Sequence, residues 1–291
     1  MKDYVGRFAP SPTGALHLGS LYTAIAGFLD AKSNNGSWLI RIEDIDETRA
    51  VPDAAQNIIK TLAIHGLHSD SKIIHQSHRK DRYQQVLERL FKKNALFYCK
   101  CSRKQLVEYS HYSGRCRELS LPSEGNAIRL LIEQSSLPGF FDGIQGNIAP
   151  QPTEDKNVFD FIVKRRDQFF SYLFSCVIDD IDQKVTHIIR GADILDSTPK
   201  QLLLFKHLEA SAPKFFHLPL LINENGQKLS KQNLSPAISE ATARDNILDV
   251  LTLLNQPTPP QNITINQTLD FAISHWNINK IPMRRNLTVD F

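Results

Sequence analysis

The chain has 291 residues, of which 41% are hydrophobic and 22% charged, and a formal net charge of +3; this is an ordinary soluble globular composition, long enough for one large or two modest domains with a sizeable core. The longest apolar runs, residues 202–205 and 218–222, fall far short of the roughly 20 residues that span a bilayer, and the N-terminus enters a strand-like run without a signal-peptide core, so a cytoplasmic monomer with no membrane association is expected. The small positive charge does not announce a nucleic-acid binder; Arg79-Lys80, Lys164-Arg165-Arg166 and Arg284-Arg285 could form local patches, but such a stretch alone is more often just a solvated face.

In chain order, residues 4–9 read as a strand, followed by the breaker Pro10-Ser11-Pro12-Thr13-Gly14. Apolar residues at Leu18, Leu21, Ile25, Phe28 and Leu29 then predict a helix over 17–32. A second strand, 38–42, ends in Glu43-Asp44-Ile45-Asp46, and helices are expected over about 53–65 and 79–93. Strand, glycine-containing turn, helix and strand form a βαβ opening, which favours an α/β fold with a parallel sheet and a ligand site at the carboxyl ends of its strands. From about 95 to 157 the character changes to many Ser, Gly and Pro, few helical patterns and three of the four cysteines, as in an inserted subdomain. Regular pattern returns at 159–163 and 168–172, then a helix to about 180, a strand over 185–190 and a helix over 198–208. Residues 218–223 look like the last sheet strand, leading into Gly226-Gln227-Lys228-Leu229-Ser230-Lys231-Gln232; a small helix over 239–254 and a polar end complete the chain. The expected division is 1–94 and 158–235 as two halves of one catalytic domain, 95–157 as the insert and 236–291 as a short helical tail.

Three short stretches carry candidate chemistry. Arg7-Phe8-Ala9-Pro10-Ser11-Pro12-Thr13-Gly14 is followed by His17-Leu18-Gly19-Ser20 at a predicted helix start. Free N–H groups and the positive dipole end suit a polyphosphate there, Gly19 permits close backbone approach, and His17 can donate to phosphate oxygens. Taken alone, His-x-Gly is also an ordinary turn before a helix. Lys228-Leu229-Ser230-Lys231-Gln232 places two lysines in a loop, where an ammonium could stabilise charge that builds on phosphates in a transition state. Cys99-Lys100-Cys101 with Cys116 reads as metal sooner than as disulfide in a cytosolic chain. Three thiolates and one further ligand would make a tetrahedral structural zinc site, with His111 and Tyr112 both open as the fourth ligand. Cys176, inside an apolar run, reads as a buried small side chain.

The string Arg-Phe-Ala-Pro-Ser-Pro-Thr-Gly followed by His-Leu-Gly-Ser resembles the class I signature ("HIGH") of the glutamyl- and glutaminyl-tRNA synthetase family, with Ser20 in place of the second histidine. Lys228-Leu229-Ser230-Lys231-Gln232 is similar to that family's second signature ("KMSKS"), with Leu229 for Met and Gln232 for Ser. The resemblance covers about residues 4–235 and implies a Rossmann-type catalytic domain that binds ATP through His17, Gly19, Lys228 and Lys231, with His17 and Lys231 catalytic and Mg²⁺ accompanying the nucleotide. It further implies a glutamate pocket made of Arg7, Ser11, Glu43, Tyr172 and Arg190: an anion for the α-ammonium and two guanidinium forks for two carboxylates. It points to Tyr112 beside Cys99, Cys101 and Cys116 as the zinc ligands. Fewer than sixty residues follow Gln232, too few for a large anticodon-binding domain. In that respect the chain resembles the short glutamyl-queuosine tRNA(Asp) synthetases, which implies queuosine-containing tRNA(Asp) as the acceptor. The alternatives are a minimal enzyme charging a tRNA 3′ end and a catalytically silent RNA-binding relative.

Overall fold

The computed structural model describes residues 3–102, 105, 112–133, 136–152, 159–227, 238 and 241–289. Lys228 and Lys231 of the second signature, and His111, lie outside the described residues. The chain opens with β1 (Val5–Phe8), α1 (Leu18–Ser33), β2 (Ser37–Ile42), α2 (Ala54–Ile64), β3 (Ile74–His75) and α3 (Lys80–Lys92). The middle holds short strands: β4 (Leu96–Cys99), β5 (Ala127–Leu130), β6 (Ser136–Leu137), β7 (Phe140–Asp142), β8 (Gly146–Ile148), β9 (Gln151–Pro152) and β10 (Phe161–Lys164). Then come α4 (Tyr172–Asp182), β11 (His187–Gly191), α5 (Thr198–His207), β12 (Lys214–Leu218), β13 (Leu220–Ile222), α6 (Ala243–Leu253), α7 (Ile265–His275) and β14 (Asn286–Thr288).

Seven strands form the main sheet in the order β3-β2-β1-β11-β12-β7-β8. Every pairing in it is parallel except the closing β7–β8 hairpin. From β1 the chain builds outward through β2 and β3, then returns to β11 and builds the other way. The order therefore reverses between β1 and β11, where open α/β sheets leave a crevice at the strands' carboxyl ends. Both faces are covered, so the central strands are largely apolar, and the polar residues they do bury, Arg7, Arg41, Arg190 and His217, stand out. On β11 the alternation sends Ile189 into one core, with α1, α6 and α7, and Ile188 into the other, with α3, α4 and α5. A separate antiparallel sheet, β10-β5-β4, carries the cysteines at one end. The β7–β8 hairpin, from within 95–157, extends the main sheet, while β10 belongs to the small one.

Two expectations need correction. The last strand of the main sheet is β12, over Lys214–Leu218, not residues 218–223; Pro219 breaks the apolar stretch, and the half beyond it pairs with β14 as a separate parallel ribbon. The polar C-terminal end holds a further helix, α7, started by a capping box in which Thr264 and Gln267 satisfy each other's backbone N–H. Its Leu269 and Ala272 are buried in the same core as α1.

Candidate active site

Two adjoining pockets open at the crevice. The larger, about 600 Å³, is lined by the loop after β1 (Ser11, Thr13, Gly14), the start of α1 (His17, Gly19, Ser20) and the ends of β11 and β12. Gly14 has φ +133°, a conformation that L side chains rarely adopt, which lets the loop turn into the helix. His17 is the N-cap of α1, and its Nδ1 accepts from the Ser20 N–H at 3.3 Å. The proton of the neutral ring is then on Nε2, which lies 3.0 Å from Ser20 Oγ and at the cavity wall. Ser20, where the family signature has histidine, thus orients His17 from within the same turn.

The smaller pocket, about 220 Å³, is lined by Ser11, Glu43, Gln76, Tyr172 and Arg165 among others. Ser11 belongs to both. Helix α4 builds its floor, because Tyr172, Cys176 and Asp180 recur at i, i+4 and i+8 and so share one face. Against that face lie Arg7 from β1 and Arg41 from β2. Asp180 Oδ1 accepts from Arg7 Nε at 3.3 Å and from Arg41 Nη1 at 2.8 Å. Arg41 Nη2 is 3.4 Å from Glu43 Oε1, and Arg41 Nε 3.6 Å from Asp179 Oδ2. Burial would lift the Asp180 carboxyl, but Arg41 and Arg7 hold it below the usual carboxylate range. Glu43 is raised, since burial outweighs the pull of Arg41 and Arg7 and Asp180 adds to the rise. An incoming ammonium would offset that desolvation. Cys176, touching Arg7, Arg41 and Asp180, is pushed by burial up to about 12 and stays a neutral thiol.

Arg190, at the end of β11, contributes the second guanidinium. Its Nη1 is buried and has no hydrogen-bond partner among the described residues. Burial raises the Tyr172 phenol, with the charges of Cys176 and Glu43 adding to the rise and those of Arg190 and Arg7 opposing it, so both arginines and Glu43 lie within electrostatic reach of that ring. Arg7, Ser11, Glu43, Tyr172 and Arg190, widely spaced in sequence, are brought to one place. An anion flanked by two buried guanidinium groups can hold an amino acid with a second carboxylate. Sequence reasoning did not single out Asp180 or His217, an Arg190 partner. The available signals were three aspartates, Asp179, Asp180 and Asp182, closing a largely apolar helix and a histidine inside the apolar strand Phe215-Phe216-His217-Leu218.

In the small sheet the sulfurs of Cys99, Cys101 and Cys116 lie within 4.8 Å of one another, and Cys101 Sγ is 3.5 Å from Cys116 Sγ. Ligands of a tetrahedral zinc with Zn–S near 2.3 Å sit about 3.8 Å apart, so the donors fit that ion. The Tyr112 hydroxyl accepts from Cys116 N at 3.1 Å, which puts an oxygen beside the three sulfurs as a candidate fourth donor. Arg129 Nε donates to Cys99 Sγ and Arg115 Nε to Cys101 Sγ, each at 3.2 Å, offsetting the charge of a thiolate set.

Residues 4–255 match the family model described as tRNA synthetases class I (E and Q), catalytic domain. A protein of Serratia proteamaculans named glutamyl-Q tRNA(Asp) synthetase is 39% identical over 99% of this chain and 95% of its own length. One of the same name from Pectobacterium atrosepticum is 40% identical over 97% of this chain and 87% of its own. Among solved structures, glutamate-tRNA synthetase from Elizabethkingia anophelis superposes with a TM-score of 0.81 at 26% identity, covering 99% of this chain and 68% of that one. Among the described residues no helix is long and apolar enough to cross a membrane.

Proposed function

The chain belongs to the catalytic-domain family of the class I (E and Q) tRNA synthetases, a family of ligases, and from that premise we propose that it activates L-glutamate with ATP and passes the glutamyl group to the queuosine in the anticodon loop of tRNA(Asp). The observation that carries the amino-acid half is Glu43 and Tyr172 on the wall of the smaller pocket, with the buried Arg7 and Arg190 guanidinium groups close enough to act on Tyr172. Glu43 receives the α-ammonium; Arg7 and Arg190 receive the two carboxylates. His17 Nε2–H and the α1 N-terminus bind the triphosphate with Gly19, and Lys228 and Lys231 complete the phosphate contacts. Magnesium enters with the ATP.

The chemistry needs no protein nucleophile. An α-carboxylate oxygen of glutamate attacks the α-phosphorus, pyrophosphate leaves, and an acyl adenylate forms. A hydroxyl of queuosine's cyclopentene diol then attacks the acyl carbonyl, loses its proton, and AMP leaves. The residues supply position and charge stabilisation. The acceptor half is supported by the printed names of relatives at 39% and 40% identity over nearly the whole chain. ATP–pyrophosphate exchange should require glutamate and no tRNA. Labelled glutamate should then appear on tRNA(Asp) only when queuosine is present, including on an acceptor lacking the 3′-terminal adenosine. Label on the 3′ end of an unmodified glutamate tRNA would make the protein a minimal glutamyl-tRNA synthetase instead, and no exchange with any amino acid would favour a silent relative.

We also propose zinc at Cys99, Cys101, Tyr112 and Cys116, where it would tie the ends of the small sheet together. Elemental analysis of protein purified without added metal should find one zinc per chain. Cys101→Ser should lose it while glutamate-dependent exchange persists, because the cysteines lie outside both pockets. Metal-free wild-type protein would refute the site.

A further inference from the structure

Around Arg190 lies a closed polar ring that the proposed reaction does not by itself explain. Arg190 Nε donates to His217 Nε2 at 2.9 Å, and Arg190 Nη2 donates to Thr198 Oγ1 at 2.7 Å. Thr198 Oγ1 is in turn 3.2 Å from His217 Nε2. On the far side of the imidazole, Nδ1 is 2.5 Å from Asp142 Oδ2. Asp142 Oδ1 accepts three backbone N–H groups, from Ile144 at 3.0 Å, Gln145 at 2.8 Å and His217 at 3.1 Å. All four side chains are buried, and the Phe215 ring lies 5.0 Å from the guanidinium carbon.

The protons follow from these partners. A guanidinium has only N–H donors, so His217 Nε2 must accept, and the imidazole is neutral with its one proton on Nδ1, donated to Asp142. Burial, the largest influence on His217, favours this neutral form, and the Arg190 charge adds to it against Asp142. The supporting elements are rigid. Arg190 and His217 are register partners on adjacent parallel strands, β11 and β12. Asp142 is the register partner of Phe215, on the next strand, β7, and Thr198 opens α5.

We propose that His217, itself held by Asp142, is a positioning residue: with Thr198 it fixes the Arg190 guanidinium so that the unpaired Nη1 meets a carboxylate of the amino-acid substrate. This rests on the glutamate reading above and deepens it. Two features separate the ring from a merely structural network. A buried donor left unpaired is costly, yet among the described residues Nη1 has no partner while Nε and Nη2 are both engaged. The acceptor touching Arg190 is also a neutral ring, with the carboxylate one imidazole further away. Asp142 directly against Arg190 would cancel the charge that the substrate needs. With His217 between them, the counter-charge orients the arginine and leaves its full positive charge to the ligand.

The test is ATP–pyrophosphate exchange in the full chain, with glutamate and ATP varied separately. His217→Phe keeps a planar ring and removes the acceptor; it should raise KM for glutamate on the order of 10- to 100-fold. KM for ATP should stay within about threefold and kcat should move far less than KM for glutamate. The preference for glutamate over glutamine should narrow together with that KM. His217→Gln, whose carbonyl reaches the place of Nε2, should restore most of the loss. Thr198→Val, nearly isosteric, should raise KM for glutamate severalfold, and it decides the question if His217→Phe does not fold. Wild-type exchange with an unchanged glutamate KM in folded His217→Phe or in Thr198→Val, a parallel rise in the ATP KM, or no recovery in His217→Gln would overturn the positioning role alone. A wild-type protein that exchanges with no amino acid would overturn the glutamate reading, and this inference with it.

Discussion

Arg190→Leu should lower kcat/KM for glutamate in ATP–pyrophosphate exchange by about 10²- to 10³-fold, with KM for ATP changed by less than about threefold. Removing one partner of a buried, hydrogen-bonded charge pair costs about 2–5 kcal/mol, and each 1.4 kcal/mol is about tenfold. The loss has two parts here. The substrate carboxylate would be desolvated without the guanidinium that meets it, and the leucine would leave His217 Nε2 and Thr198 Oγ1 without their donors. The cavity proposed for ATP is lined by Gly191 and Asp193 from the same segment but not by Arg190, whose charge acts instead on Tyr172 of the smaller pocket, so nucleotide binding should be spared. Arg190→Lys should recover little: an ammonium retains the charge but cannot engage His217, Thr198 and the substrate from one planar fork. Kinetics with glutamate and ATP varied separately, on protein whose thermal midpoint is checked, measure both variants. An Arg190→Leu enzyme within threefold of wild type would remove Arg190 from the proposed glutamate pocket.

The parts of this site that were legible in the sequence are those whose signal is local. The strand, the Pro/Gly breaker and the α1 periodicity switch cleanly from period two to period 3.6, and α1 runs over Leu18–Ser33 where 17–32 was expected. The cysteines announce themselves because Cys99 and Cys101 straddle one strand end and Cys116 needs only a short return to reach them. What stayed hidden is set by pairing across long separations. Residues 215–222 are apolar almost throughout, and periodicity cannot say which side of Pro219 joins β11. Helix α7 has apolar residues at Ile265, Leu269, Phe271, Ala272 and Ile273, of which only Leu269 and Ala272 are buried, a stripe too thin to stand out without the α1 face it covers. Asp142 and His217 are 75 residues apart, and neither type is usually buried in sequence-based reading. Only parallel register places them in line behind Arg190.

Asp180→Ala should destabilise the fold by about 3–5 kcal/mol at neutral pH, the cost of leaving buried charge without its partner. Asp180 joins β1 to β2 across α4: its Oδ1 takes both Arg7 Nε and Arg41 Nη1, and Arg41 is wholly buried. No neighbour can replace it. Cys176 stays protonated, its thiol pushed up to about 12 by burial. Asp179 already accepts from Gln76, Arg79 and Tyr83, and Glu43 is the group proposed to receive the substrate ammonium. The pH dependence has a definite sign. Burial alone would raise the Asp180 carboxyl, but Arg41 and Arg7 depress it, so its contribution is fully present above the ordinary carboxylate pKa of about 3.9 and is lost as pH falls through the lower folded value. Wild type and Asp180→Ala should therefore differ by a constant free energy of unfolding in urea from neutral pH down to about 4, and converge only in stronger acid. A difference below about 1 kcal/mol at neutral pH would mean that water or Glu43 satisfies the two arginines. Asp180 would then be a spectator beneath the glutamate pocket instead of the group that keeps Arg7 in place.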